Sequence, residues 1–529
     1  MNFSKYFFIK LSFGLALILF TFNSCESQNK KVKKSPNILF AIADDQSYPH
    51  AGVYGFSQIS TPGFDYVANS GVLFHNAFVA APQCSPSRAA ILTGKNIWEL
   101  EEAGTHGSAF PNKFKVFTEE LEKNGYFVGY TGKPWGPGNW QISGREQNPT
   151  GIAYNKHLLS QSPTAGIQPN NYIENFKDFF SKKEEGSPFM FWFGGHEPHR
   201  VYEYGSGVKA GKDIDAVLVP AFLPDTEIVR NDVLDYLLEI EHFDSHLFQM
   251  ISFLKEKGEL DNTFIVVTAD NGMPFPYAKA NLQEFGTHVP LAISMPNTVI
   301  SKKQVHDPVG LIDIAPTILE LVNLSGSIPA TGKSLMPVLT QKDHPKHRDF
   351  VLTGRERHTH ARPDNLGYPV RAIRTEDFLY VYNFDPDRWP AGDPVLKNIE
   401  NDKRNSAAGF KGLYPGYHDV DASPSKTIVM ELANSADKKV LFDLAFAKRP
   451  QSQLYDIKSD SYCTIDLSED VKFESIKIKL HNQLMDALKS QGDPRVLGNP
   501  IFDSYPRYSS MRNFTGFNKR GTYNQIYAR

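Results

Sequence analysis

Cys84 stands in the string Ala81-Pro82-Gln83-Cys84-Ser85-Pro86-Ser87-Arg88-Ala89-Ala90-Ile91-Leu92-Thr93-Gly94-Lys95, a thiol with an arginine four residues on. A lone cysteine is most often a small buried hydrophobe, so the thiol alone decides nothing. Two pairs, Asp44-Asp45 and Asp270-Asn271, offer the carboxylate and amide oxygens that hard divalent cations prefer, about six to eight of them for calcium. Taken alone, an aspartate pair after a strand is more often a turn or a helix cap. Arg88, Lys133 and Lys279 are cations able to hold the oxygens of an anion, although each by default is a solvated surface charge. His196 has a side chain that titrates near neutral pH and can act as a general acid, against the bland reading of a satisfied structural histidine.

The elements that must carry these residues are legible as apolar runs. Asn37 to Ala43 is continuously apolar and stops at Asp44-Asp45; Thr263 to Ala269 stops in the same way at Asp270-Asn271-Gly272. Pro188 to Gly195 is a third candidate strand, ending at His196-Glu197-Pro198-His199-Arg200. Such runs read as buried parallel strands, and ligands favour the carboxyl edge of such sheets. Helical patterns lie between them, over Val116 to Asn124 and Asp232 to Lys257. The alternation predicts an α/β fold, a mostly parallel sheet sandwiched by helices. After about residue 345 the pattern changes to loops rich in His, Arg, Pro and Asp, short strands and an amphipathic helix near Phe473 to Ser490, which predicts a smaller α+β domain.

With those residues in place, the Cys84 string resembles the signature of the type I, formylglycine-dependent sulfatases: Cys-x-Pro-x-Arg, a short helix and Thr-Gly. The resemblance implies an alkaline-phosphatase-like fold and a sulfuric ester hydrolase. It implies that Cys84 is oxidised to formylglycine (3-oxoalanine) by a formylglycine-generating enzyme. One hydroxyl of the hydrated aldehyde then attacks sulfur and the other expels sulfate, so that one difficult step becomes two. It implies one Ca2+ per chain on Asp44, Asp45, Asp270 and Asn271 beside Cys84, with Arg88, Lys133 and Lys279 on the sulfate oxygens and His196 as proton donor to the leaving group. His199 and Arg200 are candidates for substrate recognition. Leu454-Tyr455-Asp456-Ile457 looks like the family's carboxyl-terminal element.

One position departs from the pattern. Many sulfatases read Gly-Lys-x-His where this chain has Gly132-Lys133-Pro134-Trp135. A histidine thought to assist elimination is therefore absent, and Trp135 is expected at the sulfate site, with His106 or a water in the missing role. Within the family, His196 to Arg200, Asp270 to Pro276 and Val219 to Thr226 look most like the N-sulfoglucosamine sulfohydrolase branch.

Composition narrows the setting. Hydrophobic residues make up 41% and charged residues 22% of 529, a globular balance. A formal charge of −3 without a long basic run argues against nucleic acid as partner. Lys5 and Lys10 precede the apolar stretch Leu11 to Phe22 and then Asn23-Ser24-Cys25, which reads as a signal peptide with a lipobox-like end. The expectation is an exported bacterial lipoprotein, anchored to a membrane through Cys25, periplasmic or at the cell surface. The domains expected are a signal peptide at 1–24, a tether at 25–36, a catalytic domain at 37–345 and an α+β subdomain at 346–529.

A carbohydrate polyanion suits that location. The favoured substrate is an O-sulfated algal polysaccharide such as ulvan, or its oligosaccharides; the alternative is an N-sulfated heparin-like sugar. The basic stretch Arg355-Glu356-Arg357-His358-Thr359-His360-Ala361-Arg362 is expected either to meet further sulfates or to be an ordinary loop. Two readings from other classes stand beside these: a phosphoesterase or phosphonate hydrolase on the same fold, and an inactive glycan-binding protein.

Overall fold

The apolar runs form the centre of a nine-stranded sheet, seen in a computed structural model that describes residues 34–394, 409–410 and 416–508. The expected signal peptide and Cys25 lie outside the described residues. The strands are β1 (Asn37–Ala43), β2 (Val72–Phe78), β3 (Phe127–Gly132), β4 (Ile152–Ala153), β5 (Phe189–Gly194), β6 (Thr263–Ala269), β7 (His288–Ser294), β8 (Lys303–Val305) and β9 (Val309–Gly310). Their order is β4-β3-β5-β1-β6-β7-β2-β8, with β9 also on β2. Every pairing is parallel except those of β7, which runs antiparallel to both β6 and β2. β1, β5, β6 and β7 are buried along their whole length, and this is why they read as unbroken apolar runs rather than alternating ones.

Register brings the chemistry to one edge. Ile42 pairs with Gly194 and with Thr268, Ala43 with Ala269, and Gly132 with Gly194. Four parallel strands therefore end side by side, and the residues that follow, Asp44, Lys133, His196 and Asp270, emerge together. At the β3–β5 end only glycine fits. Gly132 has φ +73°, and a Cβ there would lie 2.0 Å from the Gly194 carbonyl oxygen, while one on Gly194 would lie 1.9 Å from that of Lys133. This close approach lets the Lys133 N–H donate to the Gly194 carbonyl at 2.7 Å.

The long helix Glu227–Glu256 begins five residues before the expected Asp232, because the Thr226 side chain accepts the Val229 N–H and caps it there. The helix Phe117–Lys123 and the strand Phe189–Gly194 are each one residue shorter at both ends than the sequence pattern predicts, within the usual fraying of boundaries.

A second sheet of four antiparallel strands follows: β10 (Phe350–Arg355), β11 (Val370–Thr375), β12 (Phe378–Asn383) and β13 (Ser452–Asp456), in that order. The helix Glu474–Ser490 covers it with Leu480, Leu484 and Leu488, a four-residue spacing that keeps them on one face. The described residues from Ser35 onward form one compact body. The Gly354 N–H donates to the Ala80 carbonyl, Arg374 on β11 pairs with Glu284, and Ser425 donates to Asp232 of the long helix.

Candidate functional site

The loop after β1 places Asp44 and Asp45 in a buried position. Asp45 is held in left-handed backbone, φ +75°, a conformation that costs about 1 kcal/mol or more outside glycine and persists only where the surroundings impose it. Here its N–H donates to Asp270 Oδ1 (3.1 Å), and Asn271 Nδ2 donates to Asp45 Oδ1 (2.7 Å). Cys84 is the first residue of the wholly buried helix Cys84–Thr93, its Sγ 3.4 Å from Asp44 Oδ1. Arg88, one turn on, lies on the same face. Its Nε donates to Asp270 Oδ2 at 2.7 Å and its Nη1 to the Lys133 carbonyl at 2.8 Å. Lys133 Nζ meets Asp44 Oδ2 at 2.5 Å; Lys279 Nζ meets Asp45 Oδ2 at 2.6 Å and Asp421 Oδ2 at 3.2 Å.

One oxygen from each of Asp44, Asp45 and Asp270 and the sulfur of Cys84 lie within 4.8 Å of one another. Asn271 Oδ1 is buried beside them and, among the described residues, has no hydrogen-bond partner. An orphaned amide oxygen among converging carboxylates is an unpaid polar group in a protein interior, and a hard cation is the partner that suits this donor set. The residues fit a divalent metal. Burial and Asp44 push the Asp270 carboxyl up, whereas for Asp44 the opposing effect of burial is overcome by Lys133, His199 and Arg88, which hold it well below the usual carboxylate range. Burial and the Asp44 carboxylate push the Cys84 thiol well up. An unmodified thiol here stays protonated near neutral pH and is a poor nucleophile.

His196 opens onto a cavity of about 320 Å3 with Asp44, Lys133, Gln168, Glu197 and His199 on its walls. The His196 N–H donates to the Tyr172 hydroxyl (3.1 Å), which donates to Glu197 Oε2 (2.7 Å). Burial presses the imidazole down to about 4, with Asp44 opposing and Lys133 and Arg88 adding to the fall. An anionic group bound beside it raises it again. A larger cavity of about 450 Å3, lined by Lys333, Arg348 and Leu352 among others, holds none of the candidate residues.

The remaining candidates separate. His199 sits at the cavity wall with Nε2 3.8 Å from Asp45 Oδ2. Arg200 also reaches that wall, but its fork is taken by Asp232 (2.6 and 2.8 Å), its Nε by the Pro274 carbonyl, and its plane lies between Tyr202 and Phe275. Three of the five guanidinium donors are engaged in this way, and its part is to brace the loop.

Trp135 is buried, its ring against Phe110 and its Nε1 donating to the Ser85 carbonyl at 3.1 Å. The cavity is lined by Pro134 and Gly136 on either side of it, not by Trp135. Instead of facing the sulfate site as expected, it clamps the start of the Cys84 helix. His106 is buried, with Nδ1 3.1 Å from the His358 carbonyl, and it lines no part of the cavity. The stretch 355–362 is buried too. Arg355, Arg362 and His358 converge on Asp419, and Arg357 reaches the Tyr505 and Pro506 carbonyls. An internal carboxylate and backbone carbonyls, not substrate sulfates, engage these side chains.

Sequence reasoning passed over Tyr172, Glu197 and Asp421. Glu197 stood inside the quoted His196 string, but nothing local marks Tyr172 or Asp421, which arrive from a helix start and from the far end of the chain.

The profile of the family described as Sulfatase matches residues 36–324, and that of N-sulphoglucosamine sulphohydrolase, C-terminal, matches residues 276–406. The chain is 26% identical over 502 residues to human N-sulphoglucosamine sulphohydrolase, covering 87% of this chain and 91% of the relative. It is 26% identical over 495 residues to an ulvan-active sulfatase of Formosa agariphila, covering 91% and 86%. Among solved structures, one of a protein in complex with its substrate D-glucosamine-2-N,6-O-disulfate superposes with a TM-score of 0.60 at 18% identity, over 89% of this chain and 99% of the other. A phosphonate monoester hydrolase from Silicibacter pomeroyi gives 0.59 at 17%, over 87% and 97%; these two likenesses speak to the fold.

Proposed function

The chain belongs to the sulfatase family, and from that premise we propose that it releases sulfate from a sulfated polysaccharide or its oligosaccharides, using Cys84 oxidised to formylglycine as nucleophile. It is a sulfuric ester hydrolase. The observation that carries the fuller reading is the single sheet edge at which Cys84, three buried carboxylates, the Asn271 amide oxygen and three cations meet.

After conversion, residue 84 would supply a hydrated aldehyde, one hydroxyl for attack on sulfur and one for later expulsion of sulfate. A calcium ion on Asp44, Asp45, Asp270 and Asn271 would offset charge developing on the sulfate oxygens. The chain's own groups do the rest. Arg88, Lys133 and Lys279 are pinned by carboxylates and so present fixed positive charge without reorganising when substrate arrives. His196, its backbone anchored through Tyr172 and Glu197, delivers a proton to the leaving oxygen once the bound anion raises it. Trp135 keeps the Cys84 helix in register with the carboxylates.

The favoured substrate is O-sulfated, of the ulvan kind, supported by likeness to ulvan-active sulfatases over most of the chain. The match to the N-sulphoglucosamine sulphohydrolase carboxyl-terminal profile favours a second reading, an N-sulfated glucosamine. Inorganic sulfate released from N-sulfated heparin and from O-sulfated ulvan and carrageenan oligosaccharides decides between them. Release only from N-sulfated sugar would replace the favoured substrate. Release of phosphate in preference to sulfate would support the phosphoesterase reading, and saccharide binding with no release, unaffected by Cys84→Ala, the inactive one.

The exported, lipid-anchored location is part of the same proposal and rests on the Lys5 to Cys25 segment. Cys25→Ser is expected to move the protein from the membrane to the soluble fraction; unchanged fractionation would contradict it.

A further inference from the structure

The cavity beside His196 contains a carboxyl group that the chemistry above does not use. Glu239, on the long helix Glu227–Glu256, is 1% exposed and is one of the residues lining that cavity. Among the described residues, neither of its carboxyl oxygens has a hydrogen-bond partner. The other acids on the wall are satisfied: Asp44 Oδ2 meets Lys133 Nζ at 2.5 Å, and Glu197 accepts the Gln168 N–H on Oε1 at 3.1 Å and the Tyr172 hydroxyl on Oε2 at 2.7 Å. The nearest guanidinium, Arg200, is held bidentate by Asp232.

The opposite wall makes room for the group. Gly166 passes so close that a Cβ there would lie 2.6 Å from Glu239 Oε1 and 2.6 Å from the Val201 carbonyl. A buried carboxyl with both oxygens unanswered costs on the order of 1–3 kcal/mol. Such a cost is tolerated where a ligand supplies the missing donors.

We propose that Glu239 is a specificity residue of this cavity, accepting a hydrogen bond from a hydroxyl or amino group of the sugar that carries the sulfate. The inference rests on the reading of the cavity as the saccharide site. The sulfate itself is not the partner, since an ionised carboxylate and a sulfate are both acceptors and repel, and a ring hydroxyl, which donates and accepts, suits the group even where burial and Glu197 hold it protonated. The partner is a donor on the ring. A hydroxyl and an amine share this chemistry, and sugars differing only at that position distinguish them.

The test compares wild type, Glu239→Gln and Glu239→Leu on p-nitrophenyl sulfate, which carries sulfate but no sugar, and on ulvan oligosaccharides and heparin disaccharides with amino or hydroxyl groups. Melting temperatures and calorimetric saccharide affinities of the same proteins, each also carrying Cys84→Ser, are measured alongside. Glu239→Gln is expected to lose about 10- to 100-fold in kcat/KM and affinity for the saccharide, while p-nitrophenyl sulfate turnover stays within about twofold. Glu239→Leu is expected to lose saccharide affinity and to melt about 1–3 °C higher, because the unanswered carboxyl is gone. A lowered melting temperature with saccharide affinity unchanged would make Glu239 a structural residue and overturn the inference. If wild type binds and cleaves none of the saccharides, the saccharide reading of the cavity fails instead, and the inference with it.

Discussion

At the scale of single residues, the site works by keeping charges fixed and dry. Each cation is tied to a carboxylate before any substrate arrives, Arg88 to Asp270, Lys133 to Asp44 and Lys279 to Asp45. Truncating a partner of a buried pair strands the other charge, at a cost of about 3–5 kcal/mol. Lys279→Ala is therefore expected to lower the melting temperature as well as abolish most turnover, and a variant of unchanged stability would contradict the pairing with Asp45 and Asp421. His196 plays a different part. Its backbone, not its ring, is the anchored portion, so His196→Ala should fold normally and lose about 10²- to 10⁴-fold in kcat. The loss should shrink for substrates with good leaving groups such as p-nitrophenyl sulfate. An equal loss for good and poor leaving groups would argue against proton donation.

At the scale of elements, four parallel strand ends and one helix start define the site, and this is the part the sequence discloses best. The runs ending at Asp44 and Asp270 have the same limits in the structure as in the sequence reading, because strands buried on both faces need unbroken apolar residues. Trp135 shows where local reading stops. Lys133, two residues before it, is reached through the family resemblance, but whether an indole turns toward substrate or toward a carbonyl depends on Ser85, fifty residues away in sequence. The stretch 355–362 misleads for a related reason. Its basic residues answer Asp419, a pairing with no local signature. Trp135→Phe removes one hydrogen bond while keeping the ring packing against Phe110. The expected result is about 1 kcal/mol less stability and a severalfold fall in kcat with KM little changed; unaltered kcat would mean that the helix start needs no such clamp.

At the scale of the molecule, the two sheets are joined by buried ion pairs, and Glu284 is the one whose pH dependence can be followed. Burial alone would raise its carboxyl, but the Arg374 guanidinium at 2.6 Å and the His288 ring at 3.0 Å bring it down to about 2 from an ordinary 4.5. A depressed carboxyl contributes stability above its unfolded value that is lost as pH falls toward the folded one. The pair should thus give roughly 3 kcal/mol at neutral pH, by the usual conversion of pKa shift to free energy, and lose it between about pH 4.5 and 2. Glu284→Gln should flatten the stability profile in that window, measured by urea unfolding; an unchanged slope would place the acid sensitivity elsewhere. Binding of Ca2+ to the folded state alone should likewise raise the melting temperature, with EGTA reversing it. Saturation at a hundred times the dissociation constant corresponds to about 2.7 kcal/mol.

The central claim is that Cys84, once oxidised, is the nucleophile for sulfate ester hydrolysis. The most direct measurement is sulfate release by preparations in which the fraction of Cys84 converted to formylglycine, read from peptide mass, is varied by co-expression of the maturation enzyme. The account predicts release in proportion to that fraction and none from Cys84→Ala. Release that is independent of conversion, or that survives Cys84→Ala, would contradict it.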